Sequence, residues 1–386
     1  MSGPERRAVA VVDVGSVRRN CVRLADGLAG GARLCAVVKA DGYGHGAVEC
    51  ARAALAGSAS WIAVAAAAEA AELRDEFPQT PLLTMGALAE PELALALEAE
   101  SDVAVWKPQQ AELVAARGLE SGASPRVHVK YDSGMGRLGE RDADAIRRLI
   151  EMVAGDDRLE LAGFWTHFAT ADELDSAFFD RQLDRFTALV DLVRTEHPGV
   201  LVHAANSAAT LRDPAAHFDM VRCGVGIYGL DPFQGDPRDH GLEPALELRS
   251  YVADVKRFGE GDSAGYGRRW RAPATTCVGV LPIGYGDGVR RGLTNNADVL
   301  VDGRRHPLVG TVSMDNVTIE LGAETAVEPG AAAVLIGAQG DDRILCEEMA
   351  RRLDSINYEV TCGISQRVPR VHVRSEGPAV PAPRSE

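Results

Sequence analysis

The chain has 386 residues, of which 46% are hydrophobic and 25% are charged, and its formal net charge is −15. That length allows two domains and a large buried core, and the acidic surplus disfavours nucleic acid and anionic membranes as partners. An anionic ligand would have to be held by a few local cations and backbone N–H groups, so each Arg or Lys in a candidate site is informative.

Short β-branched runs alternate with Ala/Leu/Glu/Arg-rich stretches of helical period, such as Gly46–Ala56 and Ala68–Phe77, over the first two-thirds of the chain. This alternation predicts a parallel sheet. Eight such units over roughly 190–200 residues approach the size of a (β/α)8 barrel, although an open doubly wound sheet would show the same local pattern. The predicted strands are Leu34–Lys39, Trp61–Ala65, Pro81–Met85, Asp102–Val105, Arg126–Tyr131, Leu161–His167, Leu201–Ala205 and Asp219–Cys223.

The sequence changes character after about Pro244, where strand-like runs are separated by turn residues and only Cys346–Asp354 looks helical. This pattern predicts a mostly β second domain. Its predicted strands are Arg249–Phe258, Thr276–Ile283, Asp298–Val301, Val312–Leu321 and Ala332–Ile336, and Gly229–Leu242 is predicted to be a linker. The expected organisation is an N-terminal strand at 8–14 that pairs with the second domain, a barrel at 15–243, a β-rich domain at 244–375 and a disordered tail at 376–386.

The seven cysteines are scattered and form no CxxC pair. Most of them lie in apolar stretches and are interpreted as small buried hydrophobic residues, not as a disulfide framework or a zinc site. The start of the chain lacks the apolar stretch of a signal peptide, and the longest apolar run, from Trp61 to Ala68, is too short to span a bilayer. We therefore expect a cytoplasmic protein that binds neither metal nor membrane.

The strongest local motif is an apolar strand that ends in Lys39 and is followed by the loop DGYGHG. The carboxyl ends of parallel strands line the active site in α/β proteins. Desolvation can lower the pKa of a lysine there, which makes it a competent Schiff-base nucleophile. An isolated strand-end lysine more often simply reaches water, and the YGHG loop is what favours the catalytic interpretation.

A second motif, between Gly224 and Gly229, is a literal G-x-G-x-x-G after a predicted strand. A dinucleotide-binding interpretation needs a helix next and an acidic residue about 20 positions on, whereas Asp231 follows almost at once, so we reject it. Glycines after the last strand of a barrel suit a phosphate site built by the loops after strands seven and eight. Ser207, after Asn206, could add a hydroxyl to that site, and the alternative for the glycines is a tight turn between domains.

Two further strand ends carry polar residues, in the segments KYDSGMGRLG and WTHFATAD. They direct Lys130, Arg137 and His167 towards one mouth of the predicted barrel. Each residue alone would be an ordinary surface cation or core histidine, but their convergence with Lys39 and Arg222 indicates a site.

Together these segments resemble the alanine racemases, which are fold-type III pyridoxal-phosphate enzymes. Matching stretches run in family order from about Val11 to Arg370. They are AVVKADGYGHG, KYDSGMGRLG, WTHFATADE, HAANSAAT, DMVRCGVGIYG, SAGYG, PIGYGDG, VGTVSMDN and NYEVTCGISQRVPR. The resemblance implies a (β/α)8 barrel followed by a β domain, pyridoxal 5'-phosphate as cofactor, and a head-to-tail homodimer whose active sites take residues from both chains.

By the same resemblance, Lys39 binds the cofactor and is the base on one face, while Tyr266 of the other subunit is the base on the opposite face. Inversion requires a proton to leave one face and return on the other, so two bases are the minimum. Free tyrosine and lysine have pKa values of about 10 and 10.4, so we expect nearby cations to lower the pKa of Tyr266 and desolvation that of Lys39. Arg222 should face the pyridine nitrogen and leave it unprotonated, because a guanidinium does not give up its proton.

The remaining roles also follow matching positions. The phosphate ligands are expected to be Tyr43, the Ser207 hydroxyl, the N–H groups of Gly224 and Val225, and Tyr358, with Asn206 among the cofactor-binding residues. His167 should stack near the ring, Arg137 and the Met314 N–H should position the substrate carboxylate, and Tyr285 should narrow the entrance. Lys130 matches a position that is often carbamylated.

The bulk of Tyr266, Tyr285 and Met314 near the substrate predicts a small side chain, with alanine first and serine second. The context implied by the resemblance is the supply of D-alanine for peptidoglycan. A broader-specificity serine racemase remains an alternative. A non-catalytic pyridoxal-phosphate-binding barrel would lack the second domain, and a decarboxylase would place an acidic residue where Arg222 stands.

The chain departs from the family pattern at four places, none of which removes a reacting group. Cys223 stands where proline is usual, Asp41-Gly42 replaces Asn-Ala, and Thr311 stands where arginine is frequent near the entrance. Ala264-Gly265 leads into Tyr266 in place of the commoner serine. These differences bear on substrate access and on the stiffness of the cofactor loop.

Overall fold

In the computed structural model, residues 6–122 and 124–376 are described, and the chain divides into two compact units. One unit, the barrel unit, contains Val17–Ile227 and His240–Leu242. The other, the β-rich unit, contains the described residues up to 16, Tyr228–Asp239 and the described residues from 243 onwards. The tail predicted to be disordered lies, from residue 377, outside the described residues.

Strand β1 (Val9–Asp13) and helix α1 (Val14–Asp26) come first. Eight parallel strands then form a closed barrel in chain order, in which the last strand pairs with the first. The alternation of strands and helices was compatible with a closed barrel or an open doubly wound sheet, and the structure has the closed barrel. Its strands are β2 (Arg33–Val37), β3 (Ala59–Val64), β4 (Leu82–Thr84), β5 (Asp102–Val105), β6 (Arg126–Lys130), β7 (Glu160–Trp165), β8 (Leu201–His203) and β9 (Met220–Cys223).

Several predicted strands run one or two residues too far at their carboxyl ends. Lys39, Tyr131, His167 and Ala205 were placed inside strands, but each lies just after one. The apolar pattern continues past the end of the strand, and some backbone hydrogen bonds do so too, as from the Tyr131 N–H to the Trp165 carbonyl at 2.8 Å. These residues therefore stand at the mouth of the barrel formed by the strand ends.

Helices follow most of the barrel strands. Amphipathic α7 (Ala143–Ala154) buries Ile146, Leu149 and Val153, and at its start the Asp142 carboxylate accepts a hydrogen bond from the Ala145 N–H. The others are the short turn α2 (Lys39–Tyr43), α3 (Ala47–Ala56), α4 (Ala67–Glu76), α5 (Glu90–Glu98), α6 (Pro108–Ser121), α8 (Phe178–Glu196) and α9 (Ser207–Arg212).

The β-rich unit contains a seven-stranded sheet, in which β1 pairs antiparallel with β10 and parallel with β20. The strands and helices of this unit after β1 are β10 (Leu246–Tyr251), β11 (Asp254–Phe258), β12 (Ser263–Ala264), β13 (Trp270–Arg271), β14 (Thr276–Leu281), β15 (Asp298–Val301), β16 (Arg304–Pro307), β17 (Val317–Gly322), β18 (Ala332–Gln339), β19 (Asp342–Ile344), α10 (Cys346–Arg352), α11 (Asn357–Cys362) and β20 (Arg370–Val373). Strands β11, β14 and β17 form a separate three-stranded sheet.

Three predictions for this unit need correction. The single strand predicted at Arg249–Phe258 is two strands, β10 and β11, which belong to different sheets. The strand predicted from Val312 begins only at Val317, because the residues before it form a loop. Helix α11 was not predicted, since Val and Thr in its sequence NYEVTC favour strands.

The segment predicted as a linker, Gly229–Leu242, is folded. Asp231 is 1% exposed, and its carboxylate accepts hydrogen bonds from the N–H groups of Phe233 (3.1 Å) and Gly235 (2.6 Å). The amide of Asn357 donates to the Asp231 carbonyl at 2.8 Å. Gly, Pro and Asp here therefore build a packed turn.

Five of the seven cysteines are buried, as expected of small apolar residues. These are Cys21, Cys35, Cys50, Cys223 and Cys346, whereas Cys277 is partly buried and Cys362 is exposed, and none of the seven belongs to a disulfide. Among the described residues, no helix is both long and apolar enough to cross a bilayer.

Candidate active site

Lys39 follows β2 and opens a left-handed turn. The φ angles are +53° at Ala40, +50° at Asp41, +61° at Gly42 and +53° at Tyr43. Only glycine adopts this conformation without strain, and each other residue costs roughly 1–2 kcal/mol. The turn brings Tyr43 back towards Lys39, whose Nζ lies 6.0 Å from the centre of the tyrosine ring.

Side chains of the same loop stabilise this turn. The Asp41 carboxylate accepts a hydrogen bond from the Ala47 N–H at the start of α3 (2.9 Å). The buried His45 places Nδ1 3.0 Å from the carbonyl oxygens of both Gly42 and Tyr43. Because a carbonyl only accepts, Nδ1 carries the proton. Asp41, a departure from the family pattern, thus has a structural role in this loop.

The last barrel loop forms a cradle against Tyr43. A Cβ atom added to Gly224 would lie 2.4 Å from the Tyr43 hydroxyl oxygen. The Ser207 hydroxyl accepts a hydrogen bond from the Gly226 N–H at 3.1 Å. A short 3-10 helix, Val225–Tyr228, begins here. Exposed N–H groups at helix starts suit an anion such as phosphate.

Asn206 has a capping role in the structure. Its side-chain oxygen accepts a hydrogen bond from the Ala209 N–H (2.9 Å), and its carbonyl accepts one from the Thr210 hydroxyl (2.8 Å). It therefore orients α9, which begins at Ser207. Its expected contribution to cofactor binding is compatible with this role, because the cap presents Ser207 to the cradle.

Arg222, the third residue of β9, is buried inside the barrel and 3% exposed. One guanidinium nitrogen lies 2.8 Å from His203 Nδ1, and the other donates to the carbonyl oxygens of Thr166 (2.9 Å) and Ala204 (3.0 Å). Among the described residues, no carboxylate forms an ion pair with Arg222. Burial lowers the pKa of Arg222 to about 10, so the guanidinium remains charged at neutral pH.

Lys130 and His167 lie beside this guanidinium. Lys130 is 4% exposed, and its Nζ lies 4.1 Å from the centre of the Trp165 ring. Burial, followed by the charges of Arg222 and Arg137, lowers the pKa of Lys130 to about 7. His167 Nδ1 lies 3.3 Å from Arg222, and burial together with the same cations lowers the pKa of His167 well below its usual range.

Arg137 is exposed on the loop after β6. The Asp132 carboxylate shapes this loop by accepting hydrogen bonds from the N–H groups of Gly134 and Gly136, each at 3.0 Å. The charge of Arg137 lowers the pKa values of Lys130 and His167, as does that of Lys39. Four basic side chains, of Lys39, Lys130, Arg137 and Arg222, therefore act on one region of a chain whose net charge is −15, which favours a ligand with several negative charges.

Tyr266, Tyr285, Met314 and Tyr358 belong to the β-rich unit. Tyr266, Tyr285 and Met314 are unusually exposed for their size, at 73%, 43% and 52%. The Tyr285 N–H donates to the Ser313 carbonyl at 2.9 Å, and the Thr311 hydroxyl donates to the Tyr266 carbonyl at 2.7 Å. Thr311 therefore fixes the backbone of Tyr266.

Asp287 holds the Tyr285 loop. Its carboxylate, which is fully buried, accepts a hydrogen bond from the Gly284 N–H (2.9 Å) and pairs with Arg7. The Arg367 guanidinium lies 3.6 Å from the same carboxylate. Tyr285 is thus carried on a loop anchored by a buried carboxylate that pairs with partly exposed arginines.

Sequence reasoning missed three buried polar residues inside the barrel: Asp102, His128 and His203, which lie 4%, 0% and 0% exposed. One signal was available, since His128 and Lys130 are two apart in one strand and must face the same side. Strands of parallel sheets are apolar on both faces, which hides this periodicity elsewhere.

Two family models match the chain: "Alanine racemase, N-terminal domain" at residues 12–232 and "Alanine racemase, C-terminal domain" at residues 245–372. The alanine racemase of Symbiobacterium thermophilum is 39% identical over 364 residues, which cover 94% of this chain and 96% of that protein. The alanine racemase of Geobacillus stearothermophilus is 39% identical over 377 residues, which cover 97% and 95%.

Solved structures agree with these matches. The crystal structure of alanine racemase from Streptomyces lavendulae superposes with a TM-score of 0.91 at 35% identity and covers 97% of this chain and 98% of that one. Both domains, in order, are therefore matched by sequence and by fold. The chain belongs to the alanine racemase family, whose members are isomerases.

Proposed function

We propose that this protein interconverts L- and D-alanine with pyridoxal 5'-phosphate as its cofactor. The observation that carries the proposal is the cation cluster in the barrel unit, where Arg222 lies buried without a carboxylate partner among the described residues and Lys130 and Arg137 act on the same region. Such a cluster opposes the acidic balance of the whole chain, and it suits a cofactor with a phosphate, a phenolic oxygen and a bound carboxylate.

The cradle beside Tyr43 fits a phosphate group. The space next to Gly224 is too small for a Cβ atom, and helix starts supply N–H groups. The proposed phosphate ligands are Tyr43, Ser207, Gly224, Val225 and Tyr358. Lys39 would bind the cofactor covalently, Arg222 would face its ring nitrogen, and His167 would stack near the ring.

Two side chains of the protein would move the proton. When bound, the cofactor's conjugated ring delocalises the electrons left at the substrate Cα, which makes its proton removable. The Lys39 amine removes or returns the proton on one face of the Cα atom. On the opposite face, Tyr266 would remove the proton as its phenolate or return one from its hydroxyl, because one base cannot reach both faces.

Arg222 would decide which reaction follows. A carboxylic acid at its position could donate a proton to the ring nitrogen and lengthen the lifetime of the carbanion. A longer lifetime would favour transamination. The Arg222 guanidinium, with a pKa of about 10, keeps its proton at neutral pH and offers only a hydrogen bond. Prompt return of the proton to Cα, and hence racemisation, is then favoured.

We further propose that the active form is a head-to-tail homodimer. Tyr266, Tyr285 and Met314 expose unusually large fractions of their side chains, as expected of residues that complete a site on a partner subunit. Met314 and Arg137 would position the substrate carboxylate, and Tyr285 would narrow the entrance. Their bulk favours alanine over serine, and the D-alanine formed would supply peptidoglycan synthesis.

The decisive experiment follows both the stereocentre and its proton. We would incubate the purified protein, loaded with pyridoxal phosphate, with L-alanine or L-serine in deuterated water and measure optical rotation and Cα exchange. We expect racemisation of alanine at a higher kcat/KM than serine, with one deuterium gained per inversion. Exchange without inversion, or neither, would refute the reaction.

Two variants test the attachment of the cofactor and the proton transfer separately. Borohydride reduction should abolish the visible absorbance and fix the pyridoxyl group onto Lys39 as a secondary amine, and peptide mapping should find it there and not in Lys39→Ala. Tyr266→Phe should keep the chromophore but lose most racemisation. Undiminished racemisation by Tyr266→Phe would exclude Tyr266 as a base.

A further inference from the structure

A continuous chain of hydrogen bonds crosses the inside of the barrel from Asp102 to Arg222. Asp102 Oδ2 lies 2.9 Å from His128 Nε2, and His128 Nδ1 lies 2.8 Å from His203 Nε2. His203 Nδ1 lies 2.8 Å from an Arg222 guanidinium nitrogen. These residues come from four different strands, β5, β6, β8 and β9.

The connectivity fixes the proton on each histidine. A guanidinium can only donate, so His203 Nδ1 accepts. His203 Nε2 therefore carries the proton and donates to His128 Nδ1. His128 Nε2 then carries the second proton and donates to the Asp102 carboxylate. A proton on His128 Nδ1 would face the His203 proton, so both imidazoles must be neutral.

Packing and a further hydrogen bond restrain both ends of the hydrogen-bond chain. The Trp165 ring stacks on His203 with centroids 5.5 Å apart and an interplanar angle of 13°. The Arg222 Cζ atom lies 4.7 Å from the centre of the same ring. At the other end, Arg126 Nε donates to the Asp102 carboxylate at 3.1 Å.

The hydrogen-bond chain connects the buried Arg222 cation to the Asp102 carboxylate, although the two groups do not touch. Each neutral imidazole is polarised towards the carboxylate, and hydrogen bonds in series strengthen one another at low local dielectric. Arg222 gains stabilisation of its charge and a fixed direction for one nitrogen, while the Thr166 and Ala204 carbonyls fix the other.

We propose that Asp102, His128 and His203 are positioning residues that hold Arg222 charged and in one orientation, and so set the balance between racemisation and transamination. The proposal rests on the function proposed above, in which Arg222 faces the cofactor's ring nitrogen. None of the three residues needs to touch substrate or cofactor. Their effect passes through Arg222.

The first test does not depend on activity. In protein loaded with pyridoxal phosphate and carrying 15N-labelled histidine, two-dimensional 1H–15N spectra report the protonated ring nitrogen of each imidazole. We expect His128 and His203 to be neutral and protonated at Nε2 at neutral pH. An Nδ1–H form or an imidazolium at either residue would overturn the proposal.

The second test compares two substitutions of His128. His128→Leu removes both ring nitrogens, whereas His128→Gln can accept with its amide oxygen and donate with its amide nitrogen. We expect His128→Leu to lower kcat for alanine by about ten- to a hundred-fold, the loss of a hydrogen bond that supports a charge, with a smaller change in KM. It should also form more pyridoxamine phosphate per turnover. His128→Gln should restore both values to within a few-fold of the wild type.

Asp102→Asn keeps an acceptor but removes the charge. We expect it to lower kcat and to raise the amount of pyridoxamine phosphate per turnover, both by less than His128→Leu does. A matched control is His217→Leu. His217 is also a buried histidine, at 1% exposed, but it bonds to the Thr210 carbonyl and is not a member of the hydrogen-bond chain. This substitution should lower the melting temperature without changing the partition between products.

The outcomes distinguish the two proposals. If His128→Leu and His128→Gln behave alike, or if His128→Leu changes only stability, these residues merely pack and the positioning role is wrong. A wild-type protein that does not racemise alanine refutes the proposed function, and the tautomer test still reports on the hydrogen-bond chain.

Discussion

The Tyr43 hydroxyl lies against the backbone of Gly224, so that a Cβ atom at Gly224 would be 2.4 Å from the hydroxyl oxygen. Tyr43 comes from the loop after β2 and Gly224 from the loop after β9, and these two strands pair to close the barrel. The first and last loops of the barrel therefore meet at this pair, at the proposed phosphate cradle.

Gly224→Ala should weaken cofactor binding, because the added methyl group must displace the Tyr43 hydroxyl. Overpacking of this kind costs about 1–3 kcal/mol, so we expect the Kd for pyridoxal phosphate to rise roughly ten-fold or more. This Kd is measured by titrating cofactor-free protein with pyridoxal phosphate and monitoring the visible absorbance. Gly199→Ala, where nothing lies within 4 Å of the added atom, should leave the Kd unchanged, and equal Kd values for the two variants would argue against the cradle.

Arg222→Glu should raise transamination relative to racemisation, because a carboxyl group at this position can protonate the ring nitrogen. The measurement is the amount of pyridoxamine phosphate formed per racemisation event. Arg222→Lys keeps a cation at the same position and should stay closer to the wild type in this ratio. Identical partitioning in Arg222→Glu and wild type would refute the role of the guanidinium.

Lys130 should react reversibly with carbon dioxide, because its pKa of about 7 leaves a neutral amine near neutrality. Carbamate formation should increase as pH rises through 7 and should appear as a new 13C resonance after addition of 13C-bicarbonate. The same depressed pKa means that, between about 7 and 10.4, only the unfolded chain binds this proton. The contribution of Lys130 to stability therefore falls as pH decreases through that window.

The control for the carbamate signal is another lysine. Lys107 is half exposed and pairs with Glu140 at 2.6 Å, so Lys107→Arg should keep the resonance, whereas Lys130→Arg should abolish it. A resonance that survives in Lys130→Arg would assign it to a different amine.

The barrel and the main site residues were predictable because they are local in sequence. The strand-to-lysine junction at Lys39 and the glycines from Gly224 are visible as short motifs. The left-handed turn was not predictable, because Ala40 and Tyr43 disfavour it intrinsically. Contacts outside the turn hold it in place, such as the hydrogen bond that the Ala47 N–H donates to the Asp41 carboxylate.

Longer-range relationships were also beyond the sequence. Asp287 pairs with Arg7, 280 positions away, and only the folded sheet brings them together. The hydrogen-bond chain from Asp102 to Arg222 needs strands in four places to face the same interior, and a single sequence does not reveal which buried histidines point inward.

Asp287→Asn should both destabilise the protein and raise the KM for alanine. The amide can still accept from the Gly284 N–H but loses its charge towards Arg7 and Arg367. A hydrogen bond to a charged group contributes about 1.5–3 kcal/mol, and the loop that carries Tyr285 should loosen. Chemical denaturation and steady-state kinetics check the two effects. Asp254→Asn, in a surface pair with Lys256, should change neither, and unchanged KM in Asp287→Asn would mean that the carboxylate serves stability alone.

Mixing two inactive variants tests whether each site is shared between subunits. In a heterodimer of Lys39→Ala and Tyr266→Phe, one site combines the intact Lys39 of one chain with the intact Tyr266 of the other, and the second site lacks both. Random exchange makes about half of the dimers mixed, each with one intact site of two, so activity should return to about a quarter of the wild type. If Lys39 and Tyr266 of the same chain formed one site, no mixed dimer would contain an intact pair, and the mixture would stay as inactive as its components. Co-expression of the two variants with different affinity tags isolates the heterodimer, and its racemisation rate decides between these arrangements.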